Sequence, residues 1–167
     1  MSEPRWLTDE EQRAWRRLAA VLLRLPAALE RQLQGDSRMS HYEYWVIAML
    51  SESPGRAVQL KDLAAMANSS LSRLSHVVSR LEARGWVQRQ PCPHDARSTN
   101  AILTDAGWDA VVAAAPGHVE AVRSIVFDGL TERDVRDLER VCSVIAERLE
   151  GVSGADRPEM VRPAGSA

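Results

Sequence analysis

The sequence predicts a mainly α fold carrying one small β-wing, and three observations predict it. Apolar residues recur at steps of three and four through most of the 167-residue chain, the period of helices with one buried face. Within residues 60–107, a short apolar helix, a polar turn and a second amphipathic helix follow one another directly. A glycine stop, a strand, an Arg-bearing loop and a return strand complete the same stretch. That is the order of a winged helix-turn-helix, an arrangement that presents a helix to a nucleic-acid groove.

The elements follow in order. Thr8 and Glu11 fit a capping box. The helix they open carries Trp15, Leu18, Leu22, Leu25, Leu29 and Leu33 on one stripe. Pro26 removes a backbone donor and is expected to bend it; Gly35 to Met39 reads as a turn. Ser40 and Glu43 form a second capping box, opening a helix through Trp45, Ile47 and Leu50 that Ser53-Pro54-Gly55 ends. Val58 fits a short strand, and Leu60, Leu63, Ala64 and Met66 the next helix. Asn68, Ser69 and Ser70 are N-cap formers. After them Leu71, Leu74, Val77, Val78 and Leu81 share a helical face expected to join the core, and Gly85 supplies a left-handed stop. Trp86 to Gln90 and Asn100 to Leu103 read as paired strands around a proline-stiffened loop. Thr104 caps a long helix that Pro116-Gly117 is expected to kink or break. Thr131 caps the last helix, with Val135, Leu138, Val141, Cys142, Ile145 and Leu149 on one stripe.

Composition narrows the function classes. Hydrophobic residues at 45% and charged ones at 26% suit a packed domain. No uncharged apolar run approaches the ~20 residues that span a bilayer, and no signal-peptide pattern opens the chain, so a cytoplasmic protein with no membrane association is expected. The net charge of −2 argues at first against a nucleic-acid partner. Its distribution reverses that. Residues 68–100 hold five arginines against two carboxylates, a net of +3. Residues 101–150 hold ten acidic and five basic groups, a net of −5. Local field decides where a polyanion lands.

The helix after Ser70 is the first candidate site. Opposite its apolar face it offers Ser69, Ser72, Arg73, Ser75, His76 and Arg80, with 73, 76 and 80 on adjacent turns of one side. Arg73 suits guanine O6 and N7 or a phosphate. Ser69 and Ser70 stand at a helix N-terminus, where backbone N–H groups favour a phosphate. Read alone, this face fits a solvated surface equally well; its place after a short helix and before a wing favours DNA. The wing is the second site: Asp95 lies two residues before Arg97 and suits a charge-assisted hydrogen bond holding the guanidinium outward, toward a minor groove. The alternative there is a plain surface ion pair.

These segments, SRLEARGWVQR and then DARSTNAILTDAG, resemble the MarR family of transcriptional regulators, closest to a branch common in actinobacteria. The residues that carry the resemblance are Leu81, Gly85, Trp86, Val87 and Arg89, then Asp95, Arg97 and Ser98, then Leu103, Thr104 and Gly107. It implies an obligate homodimer with interlocked first and last helices, recognition-helix contacts in the major groove and wing-arginine contacts in the minor groove. Ser75-His76 stands where many members carry Thr-Arg, so base preference does not transfer.

Weaker signals remain. The resemblance implies a small aromatic or phenolic effector near the junction of dimer and DNA-binding regions, where Trp15, His41, Tyr42 and Trp45 could line a pocket; packing of ordinary core aromatics is the bland alternative. Cys92 and Cys142 read as an inert thiol and a small core residue. The four histidines lack ligand spacing, and no catalytic motif occurs, so neither a metal, a cofactor nor an enzymatic activity is expected.

The expected organisation is a dimerisation helix in 1–39, the winged helix-turn-helix in 40–103, C-terminal dimerisation helices in 104–150 and a disordered tail in 151–167. The expected function is sequence-specific binding of double-stranded DNA, as a repressor on a pseudo-palindromic operator, with release by a small aromatic or acidic ligand. The competing reading is a dimeric winged-helix adaptor that binds proteins and has no operator.

Overall fold

The computed structural model describes residues 3–92 and 95–153, without the side chains of 95–97 and 150–153. Helix α1 spans Asp9–Ser37, with the Thr8 hydroxyl accepting from the Glu11 N–H and the Glu11 carboxylate accepting from the Thr8 N–H. It runs unbroken through Pro26 and Gly35. The expected five-residue turn shrinks to three, 38–40, in which Arg38, at φ 52°, caps the helix in the left-handed region. Helix α2 (His41–Glu52) starts from the same kind of box, between Ser40 and Glu43.

Strand β1 (Ala57–Gln59) leads into α3 (Leu60–Met66) and then α4 (Leu71–Ala83), capped by the Ser70 hydroxyl. Asn68, at φ 50°, makes the turn between them. Gly85, at φ 73°, stops α4 as its position after the last helical turn predicts. Leu71 departs from the expected face: it is 52% exposed, while Leu74, Val77, Val78 and Leu81 are buried.

Strands β2 (Val87–Cys92) and β3 (Asp95–Leu103) are longer than expected, and β3 lies between β1 and β2 in an antiparallel sheet. Pro91 pairs with Thr99. It ended the strand in the sequence reading, but β2 is an edge, where a missing N–H faces no ladder. Of the expected loop over 91–100, residues 91–92 and 95–100 are strand, and residues 93–94 lie outside the described residues.

Helix α5 (Asp105–Val122) also differs from expectation by running through Pro116 and Gly117. Pro116 and Val112, whose carbonyl loses its helical donor, both lie on the exposed side of the protomer. Gly117 faces α1, where a Cβ would sit 3.2 Å from Asp36 Oδ2, at the movable end of an exposed side chain. A π-helical turn, Arg123–Phe127, follows, and α6 spans Glu132–Ser153, opened by reciprocal bonds between Thr131 and Asp134. The helix thus includes Gly151, where the tail was expected to begin. The rest of that tail, 154–167, lies outside the described residues.

The core sits where α2, α3 and α4 meet, around Val46, Ile47, Leu50, Leu63, Leu74 and Leu81, all without solvent contact. Thr104 fastens the exit of the wing to it, donating to the Gly85 carbonyl at 2.7 Å and accepting the Gly107 N–H at 3.1 Å. Outside this core much of the apolar stripe stays uncovered. On α1 only Leu29 and Leu33 are buried, and every described side chain of α6 is exposed, Val135, Leu138, Val141, Ile145 and Leu149 included. Cys142, expected in a core, is exposed with that stripe. Asp105–Phe127 meets the length and composition of a membrane span, with mean hydropathy 1.3, although the sequence offers no uncharged run of that length. Asp109 and Glu120 interrupt it, and its exposed Val112, Val119 and Ile125 extend the uncovered surface.

Candidate nucleic-acid interface

Helix α4 presents two unlike faces because its sequence alternates them at helical period. The apolar face is committed to the core. On the other side Ser72, Arg73, His76 and Arg80 are exposed together, as the spacing predicts, and Ser79 joins them. The Ser70 hydroxyl accepts the Arg73 N–H at 3.2 Å, so its part is capping. The first-turn N–H groups of Leu71 and Ser72 have no partner within the helix, as at any N-terminus. Ser69 is half-buried, its hydroxyl 3.4 Å from the Ser70 carbonyl.

Ser75 is turned away from this face. It is half-buried, and Arg89 of β2 donates to its carbonyl at 2.8 Å and its hydroxyl at 3.2 Å. Arg89 also pairs with Glu82 and reaches the Ser79 hydroxyl. One arginine thus bolts the base of the wing to α4. Asp95 and Arg97 lie in β3, but their side chains, and any ion pair between them, lie outside what is described.

Arg80 and Arg73 differ in how they are held. Arg80 donates from Nε to Glu43 Oε1 at 2.9 Å. Burial pushes the Glu43 carboxyl up, but the Ser40 N–H and hydroxyl and the Arg80 guanidinium outweigh it and hold the group below the usual carboxylate range. Arg84 lies over the Trp86 ring at 3.5 Å and donates to the Arg38 carbonyl at 3.1 Å. Among the described residues Arg73 has no such anchor; its guanidinium lies over the Tyr42 ring.

That contact brings the two predicted sites together. A cleft of about 520 Å³ between α1, α2 and α4 is lined by Pro26, Glu30, His41, Tyr42, Trp45 and Arg73. A second, of about 540 Å³, continues from Tyr42 and Arg73 along α4 past Ser72 and His76. His41, Tyr42 and Trp45 are therefore neighbours as expected, whereas Trp15 is 55% exposed on the outer part of α1 and lines neither cleft. The ring of His41 lies 5.7 Å from that of His118, and Tyr44 stands 4.5 Å from His118. Burial lowers the pKa of both imidazoles; Glu30 partly opposes this at His41, and His41 adds to it at His118.

Glu43, Arg89, Ser79 and Glu30 were not singled out as site residues by sequence reasoning. Glu43 announces its cap, but nothing local points to a partner 37 positions away. Among the described residues no group of three His, Cys, Asp or Glu could hold a metal ion.

A three-stranded sheet packed beside consecutive α3 and α4, with a polar face on the second helix, defines the class: a winged helix-turn-helix protein. A MarR family model matches residues 37–98. The structure is similar to that of Sco3205, a MarR family transcriptional regulator from Streptomyces coelicolor solved in complex with DNA. Identity is 43%, 95% of this chain and 98% of that chain are covered, and the TM-score is 0.83. It is also similar to AbsC, a MarR family transcriptional regulator of the same organism, at 38% identity over 89% of this chain and 99% of that one, TM-score 0.84. The chain belongs to the MarR family. Among curated proteins it is 32% identical to the transcriptional regulator PecS of Dickeya dadantii over 65% of this chain, and 27% identical to the transcriptional repressor IacR of Pseudomonas putida over 64%. The matches span 66% and 62% of those two relatives' own lengths, just under two thirds.

Proposed function

We propose that this protein is a transcriptional regulator that binds a pseudo-palindromic DNA duplex as a homodimer and acts as a repressor. The observation that carries this reading is the exposed polar and basic face of α4, on a helix whose opposite face buries Leu74, Val77, Val78 and Leu81 in the core. The DNA bound by Sco3205 and the repressor name of IacR support it.

The homodimer rests on the uncovered stripes of α1, α5 and α6, which are too extensive for water on an isolated protomer. A second copy burying them would make residues 1–39 and 104–150 the dimerisation region, and 40–103 the DNA-binding region. With two such units, the α4 helices stand about one helical turn, ~10 bp, apart on the duplex. The cytoplasm is where such a protein meets its DNA.

The cleft between Tyr42, Trp45 and Arg73 suits a small aromatic acid, with aromatic walls for the ring and a guanidinium for the carboxylate. Because Arg73 also stands on the α4 face, an occupant there releases DNA. Thermal-shift and gel-shift titrations against a panel of aromatic acids test this; no response in either removes the effector.

Fluorescence anisotropy with duplexes from the gene's own upstream region tests the function itself. DNA binding requires an affinity that falls steeply with salt. Flat, salt-insensitive signals with every duplex would instead favour the protein-binding adaptor.

A further inference from the structure

We propose that Glu43 is a positioning residue for DNA binding: its buried carboxylate grips the Arg80 guanidinium by Nε, so that the outer Nη edge clamps a backbone phosphate and reads no base. This rests on the DNA-binding reading above and adds a division of labour within α4.

The two capping boxes of the chain make the case by contrast. Both use one carboxylate oxygen to accept the N–H of the capping residue, Glu11 at 2.8 Å and Glu43 at 2.9 Å. Glu11 needs nothing more and stands in solvent. Glu43 is only 8% exposed, and its other oxygen accepts from Arg80 at 2.9 Å, while Arg84 Nη1 lies 4.0 Å from the first. Capping therefore does not account for the second oxygen. A carboxylate this deep needs such partners, and Arg80 is thereby fixed to α2 as well as to α4.

The consequence for Arg80 follows from guanidinium geometry. Its fork offers five donors. Nε is directed inward to Glu43, which leaves the four Nη hydrogens, on a side chain 57% exposed. Holding one edge removes rotamer freedom before any ligand arrives. Arg80 also lies in the second half of α4, whereas it is the N-terminal residues of a recognition helix that reach base edges. Arg73, near that N-terminus and without an ion pair among the described residues, remains for the bases together with His76. Arg84, stacked on Trp86, closes the far side of Glu43, so the carboxylate is flanked by two cations and does not repel a phosphate.

The test uses the full-length protein and the duplex that it selects, in anisotropy over a salt series. Glu43→Gln keeps the cap, since the amide oxygen accepts the same N–H, but it loses the charged grip. It should weaken binding by about tenfold and flatten the log–log salt slope by about 0.9 per protomer, the signature of one phosphate. Arg80→Ala should do the same, the double variant should be no worse than Arg80→Ala, and the selected sequence should not change. Additive losses, an unmoved slope in Glu43→Gln, or relaxed base preference in Arg80→Ala would overturn the proposal. Arg80→Lys, which leaves Glu43 and its cap in place, covers the case in which Glu43→Gln fails to fold. It should also weaken binding although the charge is kept, and wild-type affinity there refutes the held-edge geometry. If the unmodified protein binds no duplex, the DNA-binding reading itself fails; if it binds and the variants match it, only this inference does.

Discussion

The Arg73 guanidinium lies 4.8 Å from the centre of the Tyr42 ring. One side chain thus belongs both to the exposed face of α4 and to the cleft against α1 and α2. Cation–π contact of this kind is worth about 0.5–1 kcal/mol at exposed sites, enough to bias an arginine's direction and weak enough for a ligand or a phosphate to displace it.

Arg73→Ala should lower affinity for the selected duplex by about 10- to 100-fold, the value of a base-edge or charge-assisted contact of ~1–3 kcal/mol, and relax preference at one base position. Tyr42→Leu, which frees the arginine but keeps an apolar side chain against the core, should cost about two- to fivefold, in line with the stacking energy, and leave base preference unchanged. Anisotropy and selection on the same variants check both. Arg97→Ala should weaken binding to many sequences alike, with a smaller salt slope.

The uncovered stripe on α6 makes a second prediction. Leu138→Asp together with Val141→Asp places two charges on a face that the homodimer reading buries. Sedimentation should shift from dimer to monomer, and affinity for the two-half-site duplex should collapse while α4 itself is untouched. A wild-type sedimentation profile for the double variant would remove that interface.

The His41 and His118 pair makes the third. An imidazole whose pKa falls on folding is protonated first in the unfolded chain. Folding loses nothing above the usual value of about 6.5 and is destabilised as pH drops through it toward the lowered folded value. The thermal midpoint should fall between about pH 7.5 and 5.5, and fall less in His118→Asn. The lowered carboxylates of Glu43 and Asp134 act at still lower pH and leave this window clear. Equal pH profiles for the two proteins would contradict the burial argument.

Gly107 makes the fourth. Its Cβ position is occupied by the Trp86 carbonyl oxygen and the Leu103 side chain, so Gly107→Ala must push the wing exit off α5. Overpacking of this kind costs about 1–3 kcal/mol, visible as a lowered thermal midpoint; an unchanged midpoint would show that the contact yields freely.

Much of this fold was legible in the sequence because its signals are local. Thr8, Ser40, Ser70, Thr104 and Thr131 each announce a helix start, and Gly85 a stop, within four residues. Prolines misled where their meaning depends on what lies opposite. Pro91 tolerates a strand because β2 is an edge, and Pro116 tolerates a helix because its side is exposed on the protomer; neither fact is local. The site divides the same way. The outward run of Ser72, Arg73, His76 and Arg80 follows from period alone. The engagement of Ser75 by Arg89, and of Arg80 by Glu43, needs the wing and α2 folded against α4. His41, Tyr42 and Trp45 came together as their spacing suggests, while Trp15 did not, because α1 carries it past the end of the cleft.

The most direct test of the central claim is selection of duplexes from a random pool by the purified full-length protein. Binding through two α4 helices predicts enrichment of an inverted repeat with half-site centres about one helical turn, ~10 bp, apart, lost in Arg73→Ala. A pool that remains random after repeated rounds, at salt low enough for non-specific binding to be seen, would contradict it.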